Sequence, residues 1–395
     1  MTNRLSLPSR RTFGIREFIN TVRVFLRCWL TGVDFGFNGY FQNRFTLAFQ
    51  KWSGCKYCLC VSSGTAGLWI AFRLAKISHA DEVLVSPLTN PGSVMPASIL
   101  GAKVVVADSK SDSYEISFES FISKVSNRTK AVVVTHYAGI PCSDILLISE
   151  YCSKNNIFLI EDCSQAHGSI IYHTHVGSFG DVAVWSTMFS KTISTGSCGG
   201  VIATNSSDLF SLIRSHSDRG KYFDSESYNP RDMHLYRFPS LNLVQSEIPC
   251  AIGLASLSKI SSTIKKRSLI ASWFREYLHL LGSSAVLYTP PFNSEVSYFF
   301  LILTYPSSFF PSNKQKFARL ATQFNIPINA HSRELVSEWN WLEPISPPSE
   351  TPNALSFRNR SIHLLYHERF TYSNVKDICS ALKLCEDIIL ESVSP

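Results

Sequence analysis

Short apolar runs recur along the first half of the chain, at Cys58–Val61, Val83–Val85, Val104–Val106, Ala131–Val134, Ile157–Ile160, Val182–Trp185 and Val201–Ala203. Several are rich in Val and Ile, and most are separated by stretches that fit helices, such as Thr65–Lys76, Phe118–Val125 and Ser143–Ser153. Buried apolar strands alternating with helices predict a mostly parallel sheet covered on both faces, an α/β architecture. Ahead of this region, Ile15, Phe18, Ile19, Val22, Phe25 and Leu26 fall at helical spacing, with Arg16, Asn20, Arg23 and Arg27 on the other side, so an amphipathic helix is expected. The rhythm is lost after about residue 250. A long helix is predicted over Ser262–Leu281, a buried strand over Val296–Tyr305, a Pro- and Ser-rich connector over Pro344–Pro352 and a last helix over Ser373–Leu384. The pattern divides the chain into a large domain, 1–255, and a smaller C-terminal α+β domain, 256–395.

Composition narrows the classes. Of the 395 residues, 45% are hydrophobic and 17% charged, a globular balance. The net charge of +7 favours anionic ligands, but no dense Lys/Arg block with interleaved aromatics suggests a nucleic-acid partner. No apolar run is long enough to span a bilayer, and the start does not read as a secretion signal. The 11 cysteines are then expected as reduced thiols in a cytoplasmic protein.

In open α/β sheets, ligands sit beyond the carboxyl ends of the strands. Three such ends carry candidate chemistry. After Cys58–Val61 comes Ser62-Ser63-Gly64-Thr65-Ala66, a small turn into a helix that suits a phosphate and equally suits an ordinary helix cap. After Ile157–Ile160 comes Glu161-Asp162-Cys163-Ser164-Gln165-Ala166-His167-Gly168. An acid at the end of a buried strand needs a partner, either a protonated ring nitrogen or the next helix. After Val182–Trp185 come Ser186 and Lys191, then Cys198-Gly199-Gly200. A desolvated lysine there favours imine chemistry, whereas an exposed one would be a plain surface residue.

The order and spacing of these segments resemble the DegT/DnrJ/EryC1/StrS family of sugar aminotransferases, which have the aspartate-aminotransferase-type fold. The resemblance begins near Ile15–Gly32. It continues through the Ser-Gly-Thr turn, Asp81-Glu82-Val83, Thr135-His136-Tyr137-Ala138-Gly139, the Asp-x-x-Gln and Ser-x4-Lys segments and Leu241-Asn242, as far as Gly253. It implies a large domain of the pyridoxal-phosphate (PLP) transferase type, with PLP held by Lys191 through a Schiff base. Lys191 would also shuttle the proton of the reaction. Asp162 would pair with the pyridine nitrogen, and Gln165 would contact the ring oxygen. Gly64, Thr65 and Ser186 would hold the phosphate, and Asn242 would reach it from the neighbouring subunit of a homodimer with shared active sites. The implied reaction moves an amino group from an amino acid, glutamate in the first instance, to a nucleotide-linked keto-sugar for surface polysaccharide or amino-sugar biosynthesis.

Three positions depart from the family pattern. Asn90 stands where an aromatic ring stacks on the cofactor, Cys198 where an acid precedes the Gly-Gly pair, and Val244 where an arginine is common. Two rival readings follow: the same chemistry on a non-nucleotide cyclic ketone, or a catalytically silent relative that serves as a binding partner. No metal site is expected, because Cys55-x-x-Cys58-x-Cys60 lacks a second pair at zinc-finger spacing. His173-x-His175 reads as a loop near the site. Arg214, Arg219, Lys221, Arg231 and Arg237 form a candidate basic rim for a diphosphate, or a solvated loop.

Overall fold

A computed structural model describes residues 13–33, 39–223, 236–310, 312–344, 346 and 349–391. Helices α1 (Ile15–Thr31) and α2 (Tyr40–Ser53) precede a seven-stranded sheet. Its strands are β1 (Tyr57–Val61), β2 (Glu82–Val85), β3 (Lys103–Val106), β4 (Thr129–Thr135), β5 (Phe158–Asp162), β8 (Val182–Ser186) and β9 (Gly200–Thr204), in spatial order β1-β9-β8-β5-β4-β2-β3. Between β5 and β8 lie the short strands β6 (Ile170–Ile171) and β7 (Thr174–His175). All seven apolar runs became the predicted strands. Only β9 opposes its sheet neighbours, pairing antiparallel with both β8 and β1.

Both faces of the sheet are covered, which is why its strands read as continuous apolar runs. One face packs on α2, α6 (Ile145–Asn155) and α8 (Glu247–Leu257) around Phe45, Phe49, Trp185, Ile148 and Cys250. The Phe49 and Trp185 rings meet edge to face at 5.3 Å. The other face packs on α3 (Gly64–Leu74), α4 (Met95–Ile99) and α7 (Ser207–Ser217) around Ile70, Ala97, Val133, Val184 and Ile213. The short helix α5 (Phe118–Lys124) adds Phe121 to the first face.

The C-terminal part has its own core. Helices α9 (Ile260–Leu280), α10 (Lys314–Gln323) and α12 (Tyr372–Glu391) cover a four-stranded sheet, ordered β10 (Val286–Leu287), β12 (Leu301–Thr304), β14 (Ser361–Leu364) and β13 (Ile328–Asn329). Strand β11 (Ser294–Glu295) instead joins β6, and α11 (Pro352–Asn359) leads into β14. The strand expected over Val296–Tyr305 is confined to Leu301–Thr304. Tyr298 takes a positive φ of 47°, and the Tyr298 and Phe299 carbonyls accept from the buried Arg267 guanidinium instead of a strand partner. A smaller apolar cluster with Leu88, Tyr137, Phe299, Phe300 and Leu335 lies between the two parts. Among the described residues, no helix is long and apolar enough to cross a membrane.

Candidate active site

Because β1, β2, β4, β5 and β8 run the same way, their carboxyl ends meet at one edge, and β9 starts there. A cavity of about 290 Å³ opens at this edge. Gly64, Thr65, Asp162, Ser186 and Lys191 all line it, together with Asn90, Gly92, Ser93, Ser164, Met188, Cys198 and Gly199. A larger hollow of about 520 Å³ lies among Lys76, Lys130, Asn156 and Asp181. It sits at the amino ends of the strands, away from the candidate residues, which gather instead at the smaller cavity.

The turn after β1 is built to bring backbone close. The Ser63 hydroxyl caps α3 by accepting from the Ala66 N–H at 3.0 Å. The first helical N–H groups, at Gly64 and Thr65, have no acceptor within the helix and stand at the positive end of its dipole. A Cβ on Gly64 would lie 2.9 Å from that of Ser186, and one on Gly200 would lie 2.6 Å from the Ser63 carbonyl. On Gly199 it would meet the Thr195 hydroxyl at 2.2 Å. The Gly-Gly pair is therefore required by close approach: β9 enters the sheet directly against the start of α3.

Lys191 sits in the loop between β8 and β9. Bonds from Thr187 N–H to Gly199 O and from Thr195 N–H to Thr187 O, both 2.8 Å, hold this loop closed. The lysine is buried, and its Nζ lies 4.6 Å from the centre of the Phe299 ring. Burial lowers its pKa from the ordinary value, while the carboxylates of Asp162 and Glu334 oppose that shift. An amine that sheds its proton more readily is a better nucleophile toward a carbonyl.

Asp162, at the end of β5, is held from two sides. Its Oδ1 accepts from the Ser164 N–H at 3.0 Å, and its Oδ2 accepts from the Ser93 hydroxyl. Ser93 in turn accepts from Thr89 Oγ1 at 2.8 Å, and Thr89 accepts from Thr135 Oγ1 at 2.9 Å. This buried file of hydroxyls fixes the carboxylate plane. Its neighbour Glu161 points to the opposite face of the strand. There it accepts from the N–H groups of Gly177, Phe179 and Gly180, each at 2.7 Å, and pairs with His136 Nε2 at 3.0 Å. His136 Nδ1 accepts from the Cys142 N–H, so its proton sits on Nε2. His136, Glu161 and Cys163 lie close enough to suggest a metal cluster. The carboxylate is already saturated by donors, and the group reads as a structural lock.

Two predicted residues stand outside the cavity lining. Gln165 is buried, and its Oε1 accepts from the Ala138 N–H at 2.7 Å, pinning the turn after β4. Asn242 is exposed and pairs through its backbone with Asp218. The three departures differ in place. Asn90 lines the cavity, and its side chain accepts from the Gly92 N–H at 3.1 Å, capping the turn that carries Ser93. Cys198 lines the cavity too, while Val244 bridges to Val61 beside it. His173 and His175 belong to the β6–β7 hairpin, where His175 lies 5.9 Å from the Trp52 ring, so they are not at the site. Of the basic residues, Arg219 and Lys221 bind Asp218 at 3.0 and 2.7 Å. Arg214 and Arg237 lie over the Phe223 and Tyr222 rings. Arg231 lies outside the described residues.

Sequence reasoning missed Ser93, Glu334 and Phe299. Glu334 accepts from the Tyr137 hydroxyl, and its own backbone carbonyl accepts from the Thr89 N–H at 3.0 Å. Burial pushes its carboxyl above the ordinary range, opposed by the Tyr137 hydroxyl and by Lys191. No motif links residues 93, 162, 299 and 334, because only the fold makes them neighbours.

The site as built presents a desolvated amine, an oriented carboxylate and a helix start with hydroxyls. A phosphorylated pyridine aldehyde needs these three things, and the cradle left by Gly64 fits its phosphate. The model of the DegT/DnrJ/EryC1/StrS aminotransferase family matches residues 26–383 of the chain. GDP-perosamine synthase of Escherichia coli O157:H7 is 32% identical over 243 residues, which are 62% of this chain and 64% of that relative, under two thirds of its length. The dTDP-3-amino-3,6-dideoxy-alpha-D-galactopyranose transaminase of Aneurinibacillus thermoaerophilus is 28% identical over 75% of this chain and 78% of its own. Among solved structures, the aminotransferase from Psychrobacter cryohalolentis superposes with a TM-score of 0.85 at 25% identity, covering 97% of this chain and 98% of that one.

Proposed function

The chain belongs to the DegT/DnrJ/EryC1/StrS aminotransferase family, and from that premise we propose that it transfers an amino group from glutamate to a keto-sugar carried on a nucleotide. The observation that carries the proposal is the convergence of buried Lys191, oriented Asp162 and the start of α3 on one cavity. Two relatives named for GDP- and dTDP-linked amino sugars support the substrate class.

PLP, when bound, supplies an electron sink for charge that develops beside the transferred nitrogen. Lys191 Nζ would hold it, and as a buried amine of lowered pKa would serve as the proton carrier at the site. Asp162 holds a proton on the ring nitrogen, and the Ser93 hydroxyl keeps its carboxylate aimed there. Gln165, whose Oε1 accepts from the Ala138 N–H, would reach the ring oxygen with the amide N–H₂ that remains. Gly64, Thr65 and Ser186 bind the phosphate with N–H and hydroxyl donors, which suit a dianion. Asn242, exposed on its own subunit, completes the phosphate site of a second copy in a homodimer. The enzyme works in the cytoplasm, a reading supported by 11 unpaired cysteines. It has two units, 1–255 and 256–395, a division supported by the C-terminal core of Ile270–Ile389, while α8 runs across the boundary and Leu257, Ile260, Val336 and Leu342 pack into the cores of the large unit.

The engagement of Arg214, Arg219, Lys221 and Arg237 with Asp218 and aromatic rings favours a second reading, in which the acceptor is a cyclic ketone without a nucleotide. Both are tested by incubating the PLP-loaded enzyme with glutamate and GDP- or dTDP-linked keto-sugars while following 2-oxoglutarate. Release matched by amino-sugar formation supports the first reading. Turnover only with unlinked cyclic ketones establishes the second.

A further inference from the structure

The turn after β4 ties Lys191 to a second carboxylate. Phe299, whose ring centre lies 4.6 Å from Lys191 Nζ, donates its N–H to the Ala138 carbonyl at 2.9 Å. The neighbouring Tyr137 donates its hydroxyl to Glu334 Oε2, and burial keeps that hydroxyl protonated by pushing its pKa well up. Tyr137, Phe299 and Leu335 share one apolar cluster. Glu334 is fixed through its backbone as well. Its carbonyl accepts from the Thr89 N–H at 3.0 Å, Leu335 bridges to Leu88, and the Val336 N–H donates to the Pro87 carbonyl at 2.9 Å. Thr89 therefore serves both acids of the site: Glu334 through its N–H, and Asp162 through the hydroxyl it turns to Ser93. The two carboxylates differ in how far they are committed. Both Asp162 oxygens already accept from donors, whereas Glu334 has the Tyr137 hydroxyl at Oε2 alone among the described residues.

We propose that Glu334 is a positioning residue for the amine of Lys191: its carboxylate is the counter-charge that keeps a proton available on Nζ when Asp162 is taken up by the ring nitrogen of the cofactor. This division of roles rests on the transferase reading. A carboxylate that faces a protonated ring nitrogen is neutralised by it and has little left to offer a lysine. Lys191 then needs another, because a buried amine with no anion near it accepts a proton poorly. Asp162 and Glu334 are the two carboxylates that act on Lys191, and Lys191 is the cation that acts on Glu334. The face of the Phe299 ring adds a weaker attraction for the ammonium form. Behind Tyr137 lie Tyr114 and His363, their rings 5.4 and 5.8 Å away, and burial keeps both uncharged, raising the pKa of the tyrosine and lowering that of the histidine. On the segment of Glu334 itself stand His331 and Arg333, which line with it a hollow of about 560 Å³.

The test is the rate at which acetic anhydride labels Lys191 across pH in the full-length protein without PLP, read by mass spectrometry of the peptide that carries it. Only the free amine reacts. Removing a nearby negative charge disfavours the ammonium form, so Glu334→Gln should move the midpoint down by about one pH unit and speed labelling about tenfold below both midpoints. Glu334→Asp, which keeps the charge, should restore much of the native midpoint. Tyr137→Phe should shift it in the same direction as Glu334→Gln, but by less. In the PLP-loaded protein, the pH at which the visible band changes form should also fall in Glu334→Gln. An unchanged labelling midpoint in Glu334→Gln, with circular dichroism intact, overturns the proposal. So does an equal shift in Glu334→Asp, which would mark a packing role. Should Glu334→Gln misfold, Tyr137→Phe decides, and no shift there overturns the proposal too. A native protein that never shows the visible band overturns the transferase reading instead, and labelling without PLP still decides for or against Glu334.

Discussion

At the scale of single residues, the site depends on two charges being held in unequal surroundings. Lys191 is buried, which disfavours its ammonium form, and the face of the Phe299 ring 4.6 Å away offsets only part of that cost. Its folded pKa is lowered from 10.5, so between the lowered value and 10.5 the unfolded chain binds the extra proton, and stability rises with pH through that window. Below the lowered value the full penalty is present. Lys191→Met should therefore raise the melting temperature of the cofactor-free protein at neutral pH, an advantage that shrinks as pH approaches the ordinary lysine value. Calorimetry across pH checks this, and a lower melting temperature at neutral pH would contradict the burial argument. Asp162 is held by the Thr135–Thr89–Ser93 hydroxyl file. A hydrogen bond to a charged group contributes roughly 1.5–3 kcal/mol, so Ser93→Ala should weaken PLP binding by about tenfold or more, with Ser93→Thr restoring much of it. The nitrogen chemical shift of ring-labelled PLP should show the ring losing its proton at lower pH in Ser93→Ala. An unchanged shift would mean that Ser93 only packs. Their places at strand ends left two readings open for Lys191 and Asp162, and only the family resemblance pointed to the cofactor roles. Ser93, Glu334 and Phe299 were not legible, because residues that meet only through tertiary packing leave no spacing to read.

At the scale of elements, strands were the most legible features. Both faces of the sheet are buried, so β1 to β5, β8 and β9 all wrote themselves as apolar runs. Helix α2 has Phe41, Phe45 and Phe49 at four-residue spacing, but Tyr40, Arg44 and Trp52 among them blurred the period, and the sequence reading left it unassigned. Val296–Tyr305 misled because an apolar run reports burial, not conformation: its first half is buried as irregular chain bonded to Arg267. Helix α1 was foreseen as amphipathic, but periodicity cannot say which face is docked. The Gly-Gly pair had a spacing without a reason until β9 was seen against Ser63. Gly200→Ala would place a methyl group 2.6 Å from that carbonyl. It should destabilise the fold by about 1–3 kcal/mol and, by displacing the start of α3, weaken the hold on phosphate. Denaturation and PLP titration measure the two effects, and a loss of stability with unaltered PLP affinity would detach the pair from the phosphate site.

At the scale of the whole molecule, the large sheet brings Lys191, Asp162 and the start of α3 to one cavity, and the C-terminal part brings Phe299 and Glu334 near Lys191. The exposed position of Asn242, away from its own cavity, fits a site completed by a second copy. Mixing the inactive variants Lys191→Ala and Asn242→Ala, then allowing subunits to exchange, should restore turnover, because one site of each mixed dimer is intact. No recovery, with exchange verified by mass, would place Asn242 outside the site. Lys191 as the anchor of PLP is tested by the visible absorbance of the protein with PLP, before and after glutamate, beside Lys191→Ala. The native protein should show a band that collapses on adding glutamate and is missing from the variant. An equal band in Lys191→Ala, or a native band indifferent to glutamate and every other amino donor, would contradict it.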